Sequence, residues 1–157
     1  HGTRSGQGLH CHFGLHFGSL GSPAQGGGAR TSRNPATARD LARFYAMLEC
    51  GGTLDGIQIL QQETVRDFTK LQVEGMDHSL GRYTHRSLGL ALGDSRMGNS
   101  ATVNGNSFGH GGQGTSVGWA DPDSGLAMAY ITNGFRADES NAPRLAALSQ
   151  AVRDACQ

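Results

Sequence analysis

Two apolar runs joined by Asp121-Pro122-Asp123-Ser124-Gly125 constrain this chain more than any other stretch does. Proline sets φ in that pentapeptide and glycine accepts the left-handed conformation, so it reads as a turn. The flanking runs at residues 116–121 and 126–133 are strand-like, and together they predict a hairpin. A third strand-like run at 107–112 precedes them and carries a histidine bordered by glycines, Gly109-His110-Gly111-Gly112. A sheet of this kind must bury a face, and the helical patterns elsewhere in the chain are the elements available to cover it.

The first of those patterns follows Pro35. Thr37 with Asp40 three residues on resembles a capping box, and Leu41, Phe44, Tyr45 and Leu48 then form one apolar stripe at helical spacing, closed by Gly51-Gly52. Asp55-Gly56 is a tight-turn dipeptide before a short extended run at 57–60, and residues 63–70 predict a second helix with Val65 and Phe68 inward. Residues 72–86 show no period and read as loop; 87–92 alternate weakly as a strand; 94–106, rich in Gly, Asn and Ser, read as a connection. Pro143 is expected to open a last helix whose Leu145, Leu148, Val152 and Cys156 share a face that packs on the sheet. The order of elements implies an α+β fold, an antiparallel sheet flanked by helices, with no internal repeat.

The 157 residues suit one domain, residues 34–157, preceded by a Gly/His-rich segment at 1–33 to which no structure is assigned. Glycine numbers 25, while 36% hydrophobic and 6% aromatic content is lean for a self-sufficient globule, so part of the surface is expected to meet a partner. Thirteen basic and thirteen acidic side chains cancel, which argues against nucleic acid and anionic membranes and for a small or neutral ligand. Twelve of the thirteen basic residues are arginine, a bias from which no function follows. Cys11, Cys50 and Cys156 lack C-x-x-C spacing and form an odd set, against a disulfide framework. No run has the length of a membrane span or the apolar core of a secretory signal, so a soluble chain is expected and its compartment stays open.

Chemistry concentrates at His110-Gly111-Gly112. Acyl transfer needs N–H donors aimed at a developing oxyanion, and a strand edge stripped of side chains by Gly111, Gly112 and Gly114 lets a carbonyl approach the backbone. His110 can donate a hydrogen bond or shuttle a proton near neutral pH. Other patterns compete. Gly114-Thr115-Ser116-Val117-Gly118 matches a nucleophile elbow, but its serine enters a strand rather than a helix. Gly109-His110-Gly111-Gly112-Gln113-Gly114 satisfies a dinucleotide fingerprint, but a strand and an Asp-Pro turn follow where a helix is required. His10, His12 and His16 around Cys11 could ligate a metal, although adjacent glycines offer nothing to orient them, and no metal or cofactor is expected. Trp119 and Tyr130 read as core or sheet surface, and Asp121 and Asp123 as turn aspartates bonding their own backbone.

The His110-Gly111-Gly112 strand with its hairpin, the run Ala36-Thr37-Ala38-Arg39-Asp40-Leu41-Ala42-Arg43-Phe44, the turn Gly51-Gly52-Thr53-Leu54-Asp55-Gly56, and Leu60 with Glu63-Thr64-Val65 resemble, in order, the C-terminal part of the serine β-lactamase and penicillin-binding-protein superfamily. They resemble its class C-like esterases more than class A β-lactamases, because His110 stands where the Lys-Thr-Gly lysine would. The resemblance implies an incomplete β-lactamase/transpeptidase-like fold and a serine acyl-enzyme acting on a small-molecule ester or amide. It implies that the Gln113 N–H is an oxyanion donor, that His110 points into the cleft, and that Gly111 and Gly112 line it.

The superfamily's Ser-x-x-Lys is missing. The single lysine, Lys70, follows Asp67 at that spacing. No Tyr-x-Asn occurs, and Ser32-Arg33-Asn34 directly precedes the first helix, where the family has a structural loop. The chain is therefore expected to be inactive alone, with a missing N-terminal half as its partner, or to be a non-catalytic interaction remnant of the fold.

Overall fold

The computed structural model describes residues 11–16, 36–98, 101, 106–112, 116–132 and 138–156. Nine strands and three helices appear among them. The chain runs through β1 (Cys11–His16), α1 (Ala38–Glu49), β2 (Thr53–Leu54), β3 (Ile57–Gln58), α2 (Gln62–Thr69), β4 (Val73–Asp77), β5 (Arg82–Arg86) and β6 (Ala91–Leu92). It continues through a 3₁₀ turn (Ser95–Met97), β7 (Phe108–Gly111), β8 (Val117–Asp121), β9 (Leu126–Ile131) and α3 (Asp138–Ala155). Seven strands form one sheet in the order β1-β9-β8-β7-β6-β5-β4, antiparallel throughout except for the parallel β1–β9 pair, and β2–β3 is a separate hairpin. Among the described residues no helix is long and apolar enough to cross a membrane.

Alternation in the central strands divides the core in two. Val117 and Trp119 of β8 and Leu126, Met128 and Tyr130 of β9 face α3, where Leu145 is buried and Leu148, Val152 and Cys156 pack as the spacing of that helix implies. The opposite face of the same strands carries Gly118, Ala120, Ala127 and Ala129. These small residues let α1 lie close, and the Tyr45 ring occupies the space a side chain on Gly118 would need. Tyr45, Leu48, Val65, Leu90, Leu92 and Phe108 complete the core on that side. The product is a sheet between helices, the α+β arrangement expected.

Local signals account for most boundaries. Thr37 and Asp40 cap α1 reciprocally, the Asp40 N–H donating to Thr37 Oγ1 at 3.1 Å and the Thr37 N–H to Asp40 Oδ2 at 3.2 Å. Asp55 at φ 52° and Gly56 at φ 78° give β2–β3 the doubly left-handed turn that suits strand twist. Gly52 has φ 95°, and a Cβ there would collide with the Leu60 carbonyl.

Several expectations need correction. Residues 11–16, assigned no structure, form β1 beside β9. The supposed loop at 72–86 holds the β4–β5 hairpin; its strands are exposed or half-buried throughout, so no apolar alternation marks them. The strand at 87–92 shrinks to Ala91–Leu92 because Ser87 to Leu90 close a turn, the Ser87 N–H donating to Leu90 O at 3.0 Å with Gly89 at φ 94°. Phe44, a member of the apolar stripe, is 42% exposed; the buried face of α1 runs through Ala38, Ala42, Tyr45 and Leu48. Helix α3 begins at Asp138, so Pro143 lies inside it and one amide hydrogen bond is forgone.

Candidate active site

The sheet brings the His-Gly-Gly segment to the C-terminal end of β7. Phe108 to Gly111 pair with Ala120 to Val117 of β8, while β6 pairs only with Phe108 and Gly109, so the last residues of β7 have a single strand neighbour. Alternation sends Phe108 and His110 to the α1 face and Gly109 and Gly111 to the α3 face. Phe108 is buried and His110 is exposed. The imidazole Nδ1 lies 2.7 Å from the Gly111 carbonyl oxygen.

Under this strand sits Tyr45. Burial pushes its hydroxyl up to about 12, against the smaller opposing pull of a hydrogen bond with the His110 backbone. The phenol is thus neutral at physiological pH. Its hydrogen bond with the His110 backbone supports β7.

Each glycine of the segment makes room for protein. A Cβ on Gly109 would collide with the Gly118 carbonyl, and one on Gly112 would come within 3.3 Å of Ser116 Cβ. A Cβ on Gly111 would collide with the Arg96 guanidinium, which fills the place of the missing side chain. Gly112 directs its N–H to Ser116 O at 2.9 Å, so that amide is committed to the protein. Gln113, the expected oxyanion donor, lies outside the described residues, as do Ser32-Arg33-Asn34 and His10. Ser116 leads directly into β8, a geometry that gives no strand-to-helix elbow.

Arg96 is the residue that motif reading missed. It sits in the 3₁₀ turn, donating through Nε to Asp94 Oδ1 at 2.9 Å and through Nη2 to Asp94 Oδ2 at 3.0 Å. Arg82 adds a third contact to the same carboxylate at 3.1 Å. Burial alone would raise the Asp94 carboxyl, but the Arg96 side chain and amide, with the charges of Arg96 and Arg82, hold it at about 2. Only Asp94 left a trace in the sequence, as an aspartate able to cap the turn that follows.

Helix α3 fixes that turn from behind. Ser149 donates to the Arg96 carbonyl at 2.7 Å and accepts from Trp119 Nε1 at 2.9 Å. Arg153 donates from Nε to Met97 O at 2.8 Å, pairs with Asp121, and stacks its guanidinium 4.4 Å from the Trp119 ring centroid. Asp121 does accept from the Asp123 N–H as a turn aspartate, at 3.2 Å; the buried ion pair is its second task. Trp119 and Tyr130 are core residues. Cys50 is a free thiol.

The Beta-lactamase family matches residues 18–152. The chain is 38% identical over 98 residues to the esterase/β-lactamase LipL of Mycobacterium tuberculosis, a match covering 62% of this chain and 22% of that protein. A penicillin-binding-protein homologue from Caulobacter crescentus superposes with a TM-score of 0.66 at 30% identity, over 76% of this chain and 32% of the other. A family VIII carboxylesterase gives 0.57 at 26% identity, over 72% and 31%. The chain thus spans about a fifth of the curated relative and about a third of each solved structure.

Proposed function

The chain belongs to the Beta-lactamase family, and on that premise we propose that it forms the strand side of a serine-hydrolase cleft for a small ester or amide, while the nucleophile comes from another segment. The observation that carries this reading is the exposed His110 on the free end of β7 in a sequence whose only lysine lacks a serine three residues before it. In such a cleft the acyl carbonyl lies along β7, the Gln113 N–H serves as an oxyanion donor, and His110 borders the leaving group. Ester cleavage then proceeds through an acyl-serine formed on the missing Ser-x-x-Lys segment. An imidazole, which lacks the permanent charge of a lysine, favours esters over substrates anchored by a carboxylate.

The reading is tested by treating the chain alone with a nitrophenyl ester and a fluorophosphonate. Neither a burst nor covalent label is expected. Stoichiometric labelling of Ser116 would overturn the assignment and place the nucleophile inside this chain.

A second reading, an interaction module, draws on β4. This strand ends the sheet, and its Val73 and Met76 are 65% and 55% exposed. Such an edge can pair with another chain. Dimerisation that a Gly75→Pro substitution abolishes would favour it.

A further inference from the structure

The contact between His110 and Gly111 determines more than the position of the ring. A carbonyl oxygen has no proton to give, so the 2.7 Å approach of Nδ1 to Gly111 O requires the hydrogen to sit on Nδ1. In a neutral imidazole the other nitrogen is then bare. We propose that the Gly111 carbonyl locks His110 as the Nδ1–H tautomer, so that Nε2 presents a lone pair to the cleft, and that Arg96 is the positioning residue that holds this carbonyl in place.

Three observations support the lock. His110 is exposed, and among the described residues Nε2 has no hydrogen-bond partner. Gly111 has no side chain of its own to anchor it, and β6 does not reach it, so beyond its pairing with Val117 its neighbour on the α3 face is the Arg96 guanidinium. Arg96 is itself fixed at both ends, its fork by Asp94 and its carbonyl by Ser149 of α3. A chain of contacts thus runs from a helix on the far face of the sheet to the tautomer of a cleft residue.

This inference rests on the proposed cleft and sharpens what that cleft accepts. An outward lone pair suits an uncharged ligand with an N–H or O–H to offer at that point. A carboxylate oxygen would meet it lone pair against lone pair. His110 therefore acts as an acceptor toward the ligand, the reverse of what the lysine of the family motif would do.

Nitrogen NMR of the chain, labelled at histidine, reads the tautomer directly through the couplings of Hδ2 and Hε1 to the two ring nitrogens. His110 is assigned by the signal lost in His110→Gln. At about pH 8.5, where an ordinary imidazole is neutral, the Nδ1–H form is expected to dominate by about fivefold or more, the bias that one net hydrogen bond sets. In Arg96→Gln the bias should fall several-fold, while Arg39→Gln, on the exposed side of α1, leaves it unchanged. If Arg96→Gln does not fold, Asp94→Asn loosens the same guanidinium and should lower the bias in the same direction. A dominant Nε2–H form in the unaltered chain overturns the lock, and an unchanged ratio in the Arg96 or Asp94 variant overturns the positioning role. Neither result bears on whether a serine elsewhere acylates, so failure here is separable from failure of the hydrolase reading.

Discussion

At the scale of single residues, the glycines of the His-Gly-Gly segment carry the clearest consequences. Gly111→Ala would drive a methyl into the Arg96 guanidinium; overpacking of this kind costs about 1–3 kcal/mol, visible as a lower urea midpoint at constant slope. Gly52→Ala adds backbone strain at φ 95° to a collision with the Leu60 carbonyl and should cost at least as much. Asp94 links the site to pH. Its carboxyl is held at about 2 in the fold and near 3.9 in an unfolded chain, so it contributes about 2–3 kcal/mol that is fully present above roughly pH 4. That contribution is lost as pH falls through 2. Asp94→Asn should flatten the acid limb of a stability–pH curve and lower stability at neutral pH. The exposure of His110 and the approach of Arg96 to Gly111 differ in how far the sequence foretold them. The first was foreshadowed only by the polar character of His110 among glycines, since alternation sets it on the same face as the buried Phe108 and its exposure comes from lying past the reach of β6; the second joins positions fifteen apart through a connection with no periodic signal.

Among the elements, those with a buried face were legible and those without were not. The capping box of α1, the Asp55-Gly56 turn, the β8–β9 hairpin and the α3 stripe each combine a local signal with apolar spacing, and each appears where the sequence puts it. The β4–β5 hairpin offers no core-facing row to detect. Strand β1 owes its place to backbone pairing with β9, which composition does not encode. The Asp121–Arg153 pair was hidden for a related reason: each partner has an ordinary local explanation, a turn for one and a helix surface for the other. It now provides a test of how α3 is attached. Arg153→Met leaves the Asp121 carboxylate buried without its cation, a change that typically costs about 3–5 kcal/mol. Ser149→Ala strands the Trp119 indole N–H and should cost about 1–3 kcal/mol. Thermal unfolding of both variants checks the order, with Arg153→Met the more severe.

On the scale of the whole molecule, family membership was readable because several weak motifs recur in one order, whereas the nucleophile was not, since no serine stands three residues before Lys70. A sheet that ends on β4, with Val73, Met76, Tyr83 and Leu88 each more than half exposed, gives the isolated chain apolar surface to share. Concentration-dependent association and binding of an apolar dye are the expected behaviour in solution. A dye-silent monomer with a sharp cooperative melt would show that the chain needs no further segment to complete its core. The most direct test of the account is to fuse ahead of this chain a segment bearing the superfamily's Ser-x-x-Lys motif and follow nitrophenyl ester cleavage. The account predicts a burst with fluorophosphonate label on that serine, together with a higher melting temperature than the chain alone. A fusion that folds cooperatively yet shows neither burst nor label would contradict it.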